Sequence, residues 1–91
     1  MGRKKTYDNL PSFDELIIPT LKSLLKLGGS GSIEEINTKV YEIEKFSDEI
    51  LQIPHGEDGG INEVAYRLAW SRTYLKKYGL LENSARGIWA L

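Results

Sequence analysis

The chain has no cysteine, one histidine and three prolines in 91 residues. Without cysteine there is no disulfide, no thiol nucleophile and no thiolate-ligated zinc. A single histidine, His55, leaves no multi-histidine metal site. No metal, no other cofactor and no catalytic residue is expected. The chain also lacks an excess of either charge: 12 Lys and Arg stand against 13 Asp and Glu, for a net charge of −1. That excludes a module that holds nucleic acid by bulk charge alone. Apolar runs are short, Leu16-Ile17-Ile18 among them, far below the roughly 20 residues of a membrane-spanning helix. Met1-Gly2-Arg3-Lys4-Lys5 starts like the basic end of a signal peptide, but no apolar stretch follows. The expected setting is reduced and cytoplasmic, with no membrane partner.

What remains is one small domain. The length leaves no room for a second core, and 41% apolar residues with 27% charged is ordinary for a globular fold. Charge is distributed unevenly. Residues 1–60 hold 7 basic and 11 acidic side chains, whereas residues 61–91 hold 5 basic and 2 acidic ones. The carboxyl-terminal third is a local positive footprint on a nearly neutral chain.

Residues 1–10 carry Arg3, Lys4 and Lys5 and are expected to form a flexible tail ahead of a domain over 11–91. Ser12-Phe13-Asp14-Glu15 has the spacing of a capping box, and Leu16, Ile17, Leu21, Leu24 and Leu25 follow at helical intervals. Pro19 either kinks this helix or marks its effective start. Leu27-Gly28-Gly29 ends it. Ser30-Gly31-Ser32 leaves room for one or two extended residues. Ser32-Ile33-Glu34-Glu35 is a second capping box, and Ile33, Ile36, Val40 and Ile43 mark one face of a helix to about Lys45. Ser47 starts a further short turn through Ile50 and Leu51. Residues 54–60 read as a loop. Ile61 to Tyr78 is the longest helix, stopped by Gly79. Leu80-Leu81-Glu82 and Ile88-Trp89-Ala90-Leu91 read as two strands around a tip at Asn83-Ser84-Ala85-Arg86-Gly87.

Helix, short strand, helix, helix and hairpin is the order of a winged helix-turn-helix. The expected fold is therefore mostly α with a small β-hairpin: three main helices plus a wing, the third helix being the recognition helix.

The carboxyl-terminal third also resembles the N-terminal domain of Mrr-type restriction proteins. The likeness lies in Arg67, the Trp70-Ser71-Arg72 step, Leu75 and Gly79-Leu80, followed by Arg86-Gly87-Ile88-Trp89. Pro11-Ser12-Phe13-Asp14-Glu15-Leu16, Pro19, Gly28-Gly29 and Ile33-Glu34-Glu35-Ile36 fit as well, so the resemblance covers about residues 11–91. Ser71 stands where the family often has Ala, and Glu57 and Asp58 stand where neutral or basic residues are expected. The resemblance implies a non-enzymatic DNA-binding module that supplies target recognition to a restriction endonuclease. It implies double-stranded DNA, modified DNA included, as partner. It also implies a C-terminal nuclease domain of the PD-(D/E)xK class in the full-length protein. No Glu-x-Lys triplet occurs in this sequence. Half-site geometry would call for a homodimer.

A helical wheel over 61–78 places Ile61, Val64, Leu68 and Leu75 on one side and Asn62, Tyr66, Trp70, Thr73 and Lys77 on the other. Arg67 and Lys76 flank the apolar face. The candidate DNA-binding residues are Asn62, Tyr66, Arg67, Thr73 and Lys77 on the helix and Asn83, Ser84 and Arg86 on the wing. Arg67, Lys77 and Arg86 are the expected cationic contacts, and the helix N-terminus adds a favourable dipole for phosphate.

Competing roles exist. Trp70 is expected to be packed, Arg72 to be a structural ion-pair partner, and Lys76 and Lys77 also suit a helix C-terminus. Tyr66 would equally cover an apolar edge. His55 is expected to be a solvated loop residue. Gly28-Gly29-Ser30-Gly31-Ser32 lacks the Lys-Ser/Thr ending of a phosphate loop. Glu34, Glu35, Glu42 and Glu44 form a solvated acidic face. The alternative function is a protein-interaction or autoinhibitory module, since the fold alone does not assign a function. A cationic groove on the third helix would favour DNA, and an apolar patch at Trp70, Tyr74 and Trp89 a protein partner.

Overall fold

The computed structural model describes residues 10–56 and 60–91. Glu57 and Asp58 of the acidic loop lie outside the described residues, as does the tail to residue 9. Leu10, assigned to the tail by sequence, is buried in the core.

Helix α1 spans Ile17–Lys26. Its lead-in is half of the expected capping box. The Ser12 amide donates to Glu15 Oε1 at 2.9 Å, but the Ser12 hydroxyl donates to the Asp14 carboxylate instead of capping a backbone amide. Phe13–Leu16 therefore form a turn, and regular helix begins at Ile17. Pro19 falls in the first helical turn, where its missing amide would have had no intrahelical partner. Thr20 and Ser23 are fully buried. Each satisfies its hydroxyl on its own helix, through Leu16 O at 2.8 Å and Thr20 O at 2.7 Å. At the C-terminus Gly29 N donates to Leu24 O at 2.7 Å, the closure that the left-handed Gly28 makes possible.

Strand β1 (Ser30–Ser32) leads directly into α2 (Ile33–Glu44). Here the capping box is complete: Ser32 Oγ accepts from Glu35 N at 3.1 Å, and Ser32 N donates to Glu35 Oε1 at 2.9 Å. The helix ends on Lys45 at φ 55°. Phe46 N bonds back to Tyr41 O at 3.1 Å, and the two rings meet edge to face at 6.3 Å. This is a Schellman closure with lysine in the place usually held by glycine. A single helical turn, α3 (Asp48–Leu51), is capped by Ser47. Helix α4 runs Glu63–Lys77 and is capped by Asn62, whose Oδ1 accepts from Ala65 N at 2.7 Å.

Strands β2 (Glu82–Ala85) and β3 (Ile88–Ala90) form the hairpin. It is tighter than expected: Asn83, Ser84 and Ala85 belong to β2, and the turn is Arg86-Gly87. Leu80 and Leu81 precede the strand, with Leu81 turned into the core. β3 is central in a three-stranded antiparallel sheet of order β1-β3-β2, with Gly31 opposite Trp89 and a bulge in the β2–β3 register.

Leu16, Leu24, Ile36, Val40, Val64, Leu68, Leu75 and Leu81 join Leu10 in one core. Three residues placed on apolar faces by periodicity are surface residues: Leu25 is exposed in the last turn of α1, Ile33 is exposed at the start of α2, and Ile61 precedes α4 with its side chain outside. Ile33 and Ile61 sit at helix entrances, where the chain has not yet turned onto the core. The mixed fold with its three-stranded sheet follows the element order of a winged helix.

Candidate nucleic-acid interface

Helix α4 turns Val64, Leu68, Ser71 and Leu75 inward. Its start is fixed by a short ladder: His55 N donates to Ile61 O and Glu63 N to Ile53 O, both at 2.8 Å. The ladder sets residues 53–55 antiparallel to 61–63 at the start of the helix. His55 then lies flat on Tyr66, with ring centroids 3.5 Å apart at 11°. His55 is thus half-buried and held, not a freely solvated loop residue.

Bonded to His55 is Glu63, a buried carboxylate outside the sequence-derived candidates. Its Oε1 is 2.8 Å from His55 Nδ1, and its Oε2 accepts from Arg67 Nε at 2.7 Å. Burial alone pushes the Glu63 carboxyl up, but hydrogen bonds from His55 and Arg67, with their charges, outweigh it and hold it below the usual carboxylate range. Arg67 also donates Nη1 to the carbonyls of Pro11 at 3.2 Å and Leu10 at 3.4 Å. Ser71 adds a bond to the carbonyl of Phe13, so the 10–13 segment is laced along one flank of α4. The spacing of Glu63 and Arg67, four residues apart in the first turn, was the available signal for this pair.

Arg72 is buried between α4, α2 and the wing. The expected ion pair is absent among the described residues. Arg72 Nη1 donates to Asn37 Oδ1 at 2.9 Å, its Nε has no partner, and its guanidinium lies 5.9 Å from the Trp89 ring centroid. Burial lowers its proton affinity, opposed by the Tyr41 hydroxyl. Lys76 approaches the same Trp89 ring at 6.0 Å. Trp89, from β3, therefore fastens the wing to α4. Trp70, expected to be packed, is instead 45% exposed.

The candidate residues separate into two groups. Asn62, Tyr66, Arg67 and Asn83 have structural engagements: a helix cap, a ring stack, an ion pair, and Asn83 Nδ2 on Ile88 O at 2.8 Å within the hairpin. Thr73, Lys77, Ser84 and Arg86 are exposed, although Thr73 Oγ1 also donates to Ala69 O at 3.0 Å. Lys76, Lys77 and Arg86 take part in none of the ion pairs among the described residues. They lie at the C-terminal end of α4 and at the wing tip. At the other end, Asn62 occupies an amide and Glu63 contributes a carboxylate, which opposes phosphate there.

An open cleft of about 560 Å³ runs beside α4, walled by Phe13, Tyr66, Trp70 and Tyr74, with Ser12, Glu63 and Arg67 completing it. A smaller hollow of about 150 Å³ between Trp70, Thr73, Tyr74 and Lys77 adjoins it. Glu34, Glu35 and Glu42 line a different groove on α2. Among the described residues no cluster of three metal-ligating side chains occurs, and no helix is long and apolar enough to cross a membrane.

A family model described as the Mrr N-terminal domain matches residues 13–91, from the lead-in of α1 to the end of the wing. No curated protein and no solved structure matches the chain.

Proposed function

The chain belongs to the Mrr N-terminal domain family, a restriction-system family, and from that premise we propose that it is a target-recognition module for double-stranded DNA. In this reading the outer face of α4 enters the major groove and the β2–β3 hairpin acts as the wing, while cleavage belongs to a nuclease domain elsewhere in the full-length protein. The observation that carries the reading is the placement of the cations. Lys76, Lys77 and Arg86 are exposed, form no ion pair among the described residues, and stand where a recognition helix and a wing tip would meet phosphates. Thr73 and Ser84 offer hydroxyls beside them. The acidic side chains of α2 line a separate groove and would keep DNA from that side.

Arg67 has a smaller place in this reading than its charge suggested, because Glu63 and two carbonyls already hold its guanidinium. Modified DNA and a homodimer belong to the proposal as further expectations for the full-length protein. A protein-interaction role is the second reading, favoured by the exposure of Trp70, Tyr78 and Leu80.

An amide NMR titration with short duplexes, unmodified and methylated, at two salt concentrations tests the proposal. Shifts at 69–78 and 83–87 that shrink as salt is raised are the expected result. A methylation-dependent difference would add modified-base recognition. Absence of any shift at low salt would refute autonomous DNA binding and transfer the weight to a protein partner.

A further inference from the structure

Tyr66, Trp70 and Tyr74 follow one another at intervals of four along α4 and so share one flank of the helix. The outer two already have ring partners. Tyr66 lies flat on His55, and Tyr74 lies flat on Phe13 with centroids 4.8 Å apart at 14°. Trp70 stands between these two stacked pairs. Among the described residues no ring and no cation lies on its indole, which is 45% exposed at the junction of the two hollows. The gap is therefore a slot whose neighbours are braced and whose central plane is open.

The surroundings narrow the occupant. The buried Glu63 carboxylate in the cleft is paired with Arg67, and it lies at the first residue of α4, a full helix length from Lys77 at the last. Lys77 and Thr73 border the adjoining hollow, one cation and one hydroxyl beside the aromatic planes. An open aromatic face beside a cation is the pairing that takes a nucleobase together with its phosphate, because every base has a π-face and carries a negative charge next to it. Within an intact duplex both faces of a base are covered by its neighbours. Only a base out of the stack can offer one to Trp70.

We infer that the Trp70 cleft takes a single unstacked nucleobase of bound DNA, the indole lying on the base face and Lys77 on the adjoining phosphate. This rests on the DNA-binding reading above and adds a preference to it: DNA with an unpaired or easily extruded base is bound more tightly than the same DNA fully paired.

Fluorescence anisotropy with two labelled duplexes, one fully paired and one carrying a single unpaired nucleotide, tests the inference. The wild-type chain is compared with Trp70→Ala and Trp70→Phe. Trp70 is outside the core, so both variants are expected to fold, which circular dichroism checks. Wild type should favour the unpaired-base duplex by roughly 5- to 150-fold, the scale of one base–aromatic stack. W70A should lose more affinity for the unpaired-base duplex than for the paired one and so lose that preference, and W70F should keep part of it. Equal binding of both duplexes by wild type overturns the site but leaves DNA binding intact. So does a preference that survives W70A. A W70A defect of equal size on both duplexes makes Trp70 a general contact and also overturns the inference. Binding of neither duplex overturns both this inference and the DNA-binding reading.

Discussion

Glu63 shows how a single buried group organises the face around it. The carboxylate joins a loop histidine to a helix arginine, and that arginine in turn fixes the 10–11 carbonyls. Replacing Glu63 by Gln should therefore destabilise the domain by about 1–3 kcal/mol, the usual scale when a buried charged hydrogen-bond partner is lost. Urea denaturation at neutral pH measures it, and an unchanged midpoint would show that the pair is idle. The pH dependence has a definite sign. Because the folded carboxyl is held below its ordinary value of 4.5, its contribution is complete above that value and fades as pH falls below it. Wild type should lose this component on acidification, and E63Q should not. Arg72 is the opposite case: a buried cation met by an amide and a ring face and, among the described residues, by no carboxylate.

At the scale of elements, the two capping boxes have the same sequence spacing and different outcomes. Ser32 caps α2 fully because β1 delivers it in extended geometry, at φ −77° and ψ 166°. Leu10 and Pro11, directly before Ser12, are not in a strand, and the Ser12 hydroxyl turns to Asp14. Ser32→Ala is thus expected to cost about 1 kcal/mol in thermal or chemical unfolding. Ser12→Ala should cost clearly less, and equal losses would contradict the structural distinction. Lys45 carries a similar lesson. Apolar spacing ends α2 near this residue, but no local signal in the sequence marks a left-handed lysine. The closure follows from the Tyr41–Phe46 contact, which the chain reaches only by turning there. The wing shifted by two residues because Arg86-Gly87 suffices for the turn, with Gly87 at φ 75°, and because Leu81 is drawn into the core.

Across the whole molecule, the positive footprint of residues 61–91 is smaller than its residue count. Five basic side chains are present, but Arg67 is paired and Arg72 is buried, which leaves Lys76, Lys77 and Arg86 on the surface. If these three meet phosphates, the affinity for duplex DNA should fall with salt at a log–log slope of about −3. Replacing Lys77 and Arg86 together by Ala should reduce the slope to about −1 and weaken binding on all sequences alike. A slope that stays near its wild-type value in the double variant would place the phosphate contacts elsewhere.

The sequence by itself determined the order of the elements, most of the core and the resemblance that the family match over residues 13–91 supports. Those features rest on local causes: apolar periodicity, capping spacing and glycine stops act within a few residues of themselves. It also showed which side of 63–77 faces outward, since a helical wheel needs no partner, although Ile61, placed inward on that wheel, lies outside the helix and on the surface. What it could not show was which outward cations are free. That depended on His55 and the 10–13 segment folding back from distant positions onto α4, and on Trp89 arriving from the wing over Arg72 and Lys76. Packing between remote segments decided that Arg67 is held, that Arg72 is buried and that Trp70 is open, because a side chain's partners are set by what the fold brings within a few ångströms of it.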